Sequence, residues 1–259
     1  MRVGSDAEMT FWEHLDELRG MLIRAIVVVA VFAIAAFCLK DILFDIVLAP
    51  RSSSFVTYRL LGVEPFEVQL MNIGLTEQFM THVKVSAYSG LLLASPYVLY
   101  LLFRFVSPGL YNSERHIAMT VVGAGYLMFV MGTLLNYFLV FPLTVRFLGT
   151  YQVSADVANM LTLHSYIDTF MMMGLMMGVM AELPVVCGLM ARMGLLSVGM
   201  MKAYRRHAVV VILIVAAVIT PTADAFTLFV VALPIWMLYE ISIFVCKIVQ
   251  KQYDSVKEN

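Results

Sequence analysis

An all-α, polytopic membrane protein with six transmembrane helices, both termini inside and spans 5 and 6 short, follows from three features of this chain. Hydrophobic residues make up 61% of its 259 residues and charged ones only 14%, where soluble domains carry roughly 25% charge. The apolar residues gather into runs near or above the ~20 needed to cross a ~30 Å hydrocarbon core. Those runs lack the period-two alternation of a membrane barrel, so helices must satisfy the backbone in lipid. The third feature is where the basic residues fall, and it sets the orientation.

Residues 1–20 read as an amphipathic helix at the membrane surface, with Thr10 and Glu13 as its capping box. Phe11, Leu15, Leu18 and Leu22 share one face, and Glu13 and Glu17 another. Glu8, Glu13, Asp16 and Glu17 precede the first apolar run, which argues against a cleaved signal peptide and makes span 1 the insertion signal. The lack of an Arg- and Ser-rich transit peptide favours a bacterial inner membrane.

Span 1 is expected at 21–39, followed by a polar loop over 40–78 containing Pro50, Pro65 and Ser52 to Ser54. Span 2, 79–105, is long enough to require tilt, and Pro96 should kink it. A short loop over 106–116 leads to span 3, 117–141, which Pro142 should stop. A second outer loop covers 142–165, and span 4, 166–191, contains Glu182 and Pro184. Its many methionines and glycines read as adaptable, close helix packing. Span 5, 208–220, covers only ~20 Å, and Thr220–Asp224 turns the chain into span 6, 226–246, with Pro234 and Glu240. Such a short run is either a true crossing or half of a re-entrant hairpin. Residues 247–259 form a tail, and the whole of 1–259 makes one membrane domain.

Basic residues decide between those two. With the N-terminus inside, inner segments hold 12 of the 17 Lys and Arg: Arg2, Arg19, Arg24, Arg104, Arg115, Arg192, Lys202, Arg205, Arg206, Lys247, Lys251 and Lys257. Outer segments hold 4, namely Lys40, Arg51, Arg59 and Arg146, and Lys84 lies within span 2. Six crossings keep the Lys-bearing tail inside, as the positive-inside rule asks. The short crossing is therefore preferred.

No internal repeat, phosphate loop, zincin motif or nucleophile elbow is present, so nothing argues for an enzyme. Cys38, Cys187 and Cys246 share no ligand spacing and read as inert thiols, with no metal and no cofactor implied. Ionisable groups inside a membrane cost ~2.5–3.5 kcal/mol near its centre, so each needs a reason. Glu182 stands deepest, beside the helix-breaking Pro184; it is either a proton- or substrate-linked acid or a neutral interhelical contact. Lys84 and Glu240 lie nearer helix ends, where snorkelling accounts for them.

Four ordered motifs remain: His14-Leu-Asp-Glu-Leu-Arg19; Leu48-Ala49-Pro50; Phe105-Val-Ser-Pro108-Gly-Leu-Tyr111 with Glu114-Arg115; and Glu182-Leu-Pro184. Thr220-Pro221, Pro234 and Glu240 continue them. With these motifs the chain resembles, over about residues 10–248, the TatC family, signal-peptide receptors of the twin-arginine protein translocase. The resemblance implies that Glu17 and Glu114 bind the paired arginines of a signal peptide on the cytoplasmic face, within motifs that include Arg19, Arg115, Phe105 and Pro108. It implies a concave polar pocket at Glu182, and docking of single-span TatA- and TatB-like partners around spans 5 and 6, at Thr220, Pro221 and Glu240. Folded substrates, self-association and the proton-motive force belong to the same expectation; nucleic acid does not. Two departures touch partner docking: Thr220-Pro221-Thr222-Ala223-Asp224 is one residue longer than the family's usual Thr-Pro-Pro-Asp, and Leu228 follows Thr227 where a polar side chain is common. Two other readings compete, a proton-coupled secondary transporter using Glu182 and a structural membrane scaffold.

Overall fold

The computed structural model describes residues 11–66, 68–106, 115–152, 154, 160–220 and 224–257. Its helices are α1 (Phe11–Phe37), α2 (Lys40–Leu48), α3 (Val56–Leu60), α4 (Glu77–Val106), α5 (Arg115–Leu135), α6 (Phe141–Thr150), α7 (Leu163–Met180), α8 (Leu183–Arg192), α9 (Val198–Ala203), α10 (Arg205–Ile219) and α11 (Ala225–Lys257). Among the described residues, five stretches are long and apolar enough to cross a membrane: 14–37, 77–105, 121–150, 163–192 and 225–251. Helix α10, at 15 residues, is the short sixth, about 22 Å of helix against a core of about 30 Å.

Several boundaries differ from expectation. Among the described residues no separate surface helix precedes span 1: α1 runs unbroken from Phe11 through Gly20 to Phe37, because good helix formers flank that glycine on both sides. Thr10 lies outside the described residues, so the capping box does too. Pro142 does not stop span 3. A π turn over Asn136–Val140 passes the chain into α6, where Pro142 occupies the first turn and needs no N–H bond. Span 6 is not short, since α11 continues past Cys246 to Lys257 as one 33-residue helix. Pro96 sits inside the continuous α4.

Small residues set the helix spacing. Antiparallel α1 and α4 approach so closely at Gly90 that a Cβ there would lie 2.6 Å from the Ala33 nitrogen. Gly178 of α7 faces the Phe129 ring of α5 in the same way, and Gly188 of α8 faces Val245 of α11. The core lies between α6, α7, α10 and α11, where Phe141, Ile167, Met173, Met177, Ile219 and Ile235 are fully buried.

The expected polar loop over 40–78 is largely a folded cap at the end of the bundle opposite the N-terminus. Carbonyls at the end of a helix lack their full set of intrahelical donors, and tyrosines add donors here. The Tyr137 hydroxyl donates to the Ile46 carbonyl (2.9 Å) and the Tyr166 hydroxyl to that of Val47 (3.0 Å). Fully buried Tyr58 holds its hydroxyl 2.8 Å from the carbonyl oxygens of both Pro50 and Pro142. Tyr58 therefore ties the first outer segment, at Pro50, to the second, at Pro142. A two-residue parallel ladder adds to the tie, pairing Leu70 with Leu161 and Met71 with Thr162.

Candidate functional site at the inner end of helices α1 and α4

The first turns of α1 carry His14, Glu17 and Arg19; Arg19 is exposed and Glu17 partly so. No ion pair holds the Glu17 carboxylate among the described residues, which leaves it available to an incoming cation. Phe105 stands one residue before the end of α4 and is half-buried. Its ring stacks on the His14 imidazole, with centroids 4.3 Å apart and planes 19° apart. Two motifs distant in sequence thus meet at the predicted cytoplasmic face. Pro108 and Glu114 lie outside the described residues, and for Arg115 only its place at the start of α5 is described.

Glu182 occupies a break in span 4. Helix α7 ends at Met180, Glu182 N–H bonds the Val179 carbonyl in a tightened turn, and Pro184 sits in the first turn of α8. The proline cannot donate to the carbonyl of Met180, which is why the helix restarts here. Both Glu182 carboxyl oxygens are buried and have no hydrogen-bond partner among the described residues. The side chain abuts Gly125 of α5: a Cβ on that glycine would meet Oε2 at 3.0 Å and the Phe103 ring of α4 at 2.9 Å. The acid thus rests against a glycine and an aromatic ring, at the position where the resemblance implies a concave polar pocket. Such an arrangement leaves a buried acid with unused hydrogen-bonding capacity, a costly state that function can retain.

At the outer end a further cluster appears that sequence reasoning missed. Lys84 of α4 donates to both carboxylate oxygens of Asp168 on α7, at 2.8 and 3.0 Å. His164 Nδ1 lies 2.9 Å from Asp168 Oδ2. Glu77, at the start of α4, accepts from the backbone N–H groups of Ile73, Gly74 and His164. Lys84, His164 and Asp168 edge a groove of about 800 Å³ that Tyr88, Met171 and Leu175 also line. The missed signal was Lys84 itself, since a cation inside a span calls for an acid at the same depth on a neighbouring span.

The residues expected to dock partners do not converge. Buried Thr220 donates to the Ala216 carbonyl of its own helix (3.0 Å) at the outer end of α10. Glu240, toward the inner end of α11, pairs with Arg205 at the start of α10. Pro221 lies outside the described residues. Asp224 caps α11, its Oδ1 accepting from Thr227 N–H at 2.7 Å, while the buried Thr227 hydroxyl has no partner among the described residues.

Comparison with known proteins gives a consistent picture. A family model described as Sec-independent protein translocase protein (TatC) matches residues 13–234. The Sec-independent protein translocase protein TatC of Desulforapulum autotrophicum is 37% identical over 248 residues, covering 96% of this chain and 88% of that one. Its counterpart in Carboxydothermus hydrogenoformans is 32% identical over 246 residues, covering 95% and 96%. A crystal structure of the twin arginine translocase receptor TatC matches with a TM-score of 0.77 at 30% identity, covering 92% of this chain and 99% of that chain.

Proposed function

The chain belongs to the TatC family of Sec-independent protein translocase proteins, and on that premise we propose that it is the membrane subunit that receives twin-arginine signal peptides and helps folded proteins across a bacterial inner membrane. Glu17 and Glu114 are its arginine-binding carboxylates. A guanidinium is always charged and matches a carboxylate in a two-pronged fork that lysine cannot reproduce. The observation that carries the reading is the stack of His14 on Phe105. It joins the helix bearing Glu17 to the end of α4, nine residues ahead of Glu114 in sequence. The partners are single-span TatA- and TatB-like proteins, the bilayer and further copies of this chain, with Thr220, Pro221 and Glu240 in the docking regions.

The test is binding of a twin-arginine peptide and its twin-lysine counterpart to purified protein. Each charge-assisted hydrogen bond contributes ~1.5–3 kcal/mol, so Glu17→Ala or Glu114→Ala should weaken arginine-peptide binding roughly 10- to 150-fold. Neutralising Asp16, which is exposed, should change affinity by only a few tenths of a kcal/mol. A wild type without preference for arginine, or Glu variants that bind as it does, overturns the assignment.

A further inference from the structure

His14 and Glu17 are three residues apart on α1, a spacing that places both on one helix face. Helix α1 is the least enclosed of the long spans, with 11% of its apolar window buried against 33–44% in the others. It leans on α4, through the Ala33–Gly90 approach in mid-span and the His14–Phe105 stack at the inner end. At the outer end, His82 of α4 stacks on Phe37, centroids 3.9 Å apart, with its Nε2 3.1 Å from the Phe37 carbonyl oxygen. Small residues at the crossing fix distance, and a ring stack at each end of it fixes rotation about the α1 axis. A flat ring stacked on a flat ring constrains rotation at the end where Glu17 sits.

We propose that His14 is a positioning residue for signal-peptide binding: through Phe105 it sets the rotation of the first turns of α1, and so aims Glu17 at the site. The proposal rests on the reading of Glu17 and Glu114 given above. It gives Phe105 a defined task as the platform for His14, distinct from contact with the peptide. The ring stack, and not the imidazole N–H, is the part that matters, so another flat ring should serve in its place.

Purified full-length protein and a labelled twin-arginine peptide test this by a double-mutant cycle. His14→Ala and Phe105→Ala should each weaken binding about 2- to 12-fold, the usual worth of an aromatic pair. The double variant should bind no worse than the weaker single, because both remove the same contact. His14→Phe should stay within about twofold of wild type by retaining the stack. Additive losses, or a His14→Phe variant as weak as His14→Ala, overturn the proposal while the wild type still prefers arginine. A wild type lacking that preference removes the receptor site itself, and the role of His14 with it.

Discussion

The ammonium of Lys84 and the carboxylate of Asp168 face each other across α4 and α7 at 2.8 Å, and His164 holds the far oxygen of the same carboxylate at 2.9 Å. Each member of the pair is 42% exposed, so solvent screening limits its worth to about 1 kcal/mol or less. Lys84→Ala and Asp168→Ala should each lower thermal stability in detergent by no more than that. Their combination should cost less than the sum, since one contact is lost twice. Additive losses would show that the two side chains act separately.

Tyr58 provides a second test. Tyr58→Phe removes the hydroxyl between the Pro50 and Pro142 carbonyls and should cost about 1–3 kcal/mol, because buried acceptors lose their donor. Burial raises the Tyr58 phenol above its ordinary range, with Arg146 opposing weakly. The fold therefore holds this proton more tightly than the unfolded chain, whose phenol titrates near 10. The associated stability is complete below that pH and falls as pH rises beyond it. Thermal scans from pH 8 to 11 should show a shallower alkaline loss for Tyr58→Phe than for wild type; equal slopes would contradict the burial argument.

Glu182 should show a conflict between stability and activity. Replacing a buried acid whose oxygens lack partners by Leu should raise stability by about 1–3 kcal/mol. Transport of a twin-arginine substrate into membrane vesicles should fall with Leu or Ala, and fall less with Gln, which keeps hydrogen-bonding capacity. Insertion should be unchanged throughout. Variants that transport at the wild-type rate would mark Glu182 as structural.

Orientation is checked by accessibility. Single cysteines placed in 52–54 or at 151–152 should react with an impermeant maleimide added outside, and cysteines at 202 or 205 should not. The expectation follows from the 12-to-4 division of basic residues. Outside labelling at 205 would invert the topology.

The number and order of spans were legible because a 20-residue apolar run has few alternatives in lipid. What escaped were places where a local signal depends on its surroundings. Pro142 reads as a stop, yet a proline in a first turn is as compatible with a new helix as with an end. The outer segment 40–78 reads as loop because its order comes from tyrosines far away in sequence, Tyr137 and Tyr166 among them. Asp168 was passed over because its partner lies on another helix, and the His14–Phe105 stack joins residues whose proximity no periodicity reveals. Glu17, Glu182 and Phe105 were legible as motif members; how Glu182 is enclosed was not.

Helix α11 leaves the apolar region at about Cys246 and continues to Lys257 without interruption, about 16 Å of additional helix. From Cys246 onward this shaft has no proline or glycine to serve as a joint that absorbs motion. It is also coupled near its middle to the inner segment, by the Arg205–Glu240 pair and by the Tyr239 hydroxyl donating to the Met201 carbonyl at 2.8 Å. A twist or tilt of the sixth span should therefore reappear at the protruding end, enlarged by the length of the lever. A spin label fixed rigidly at Lys251 would report, from the water side, movements that originate inside the bilayer.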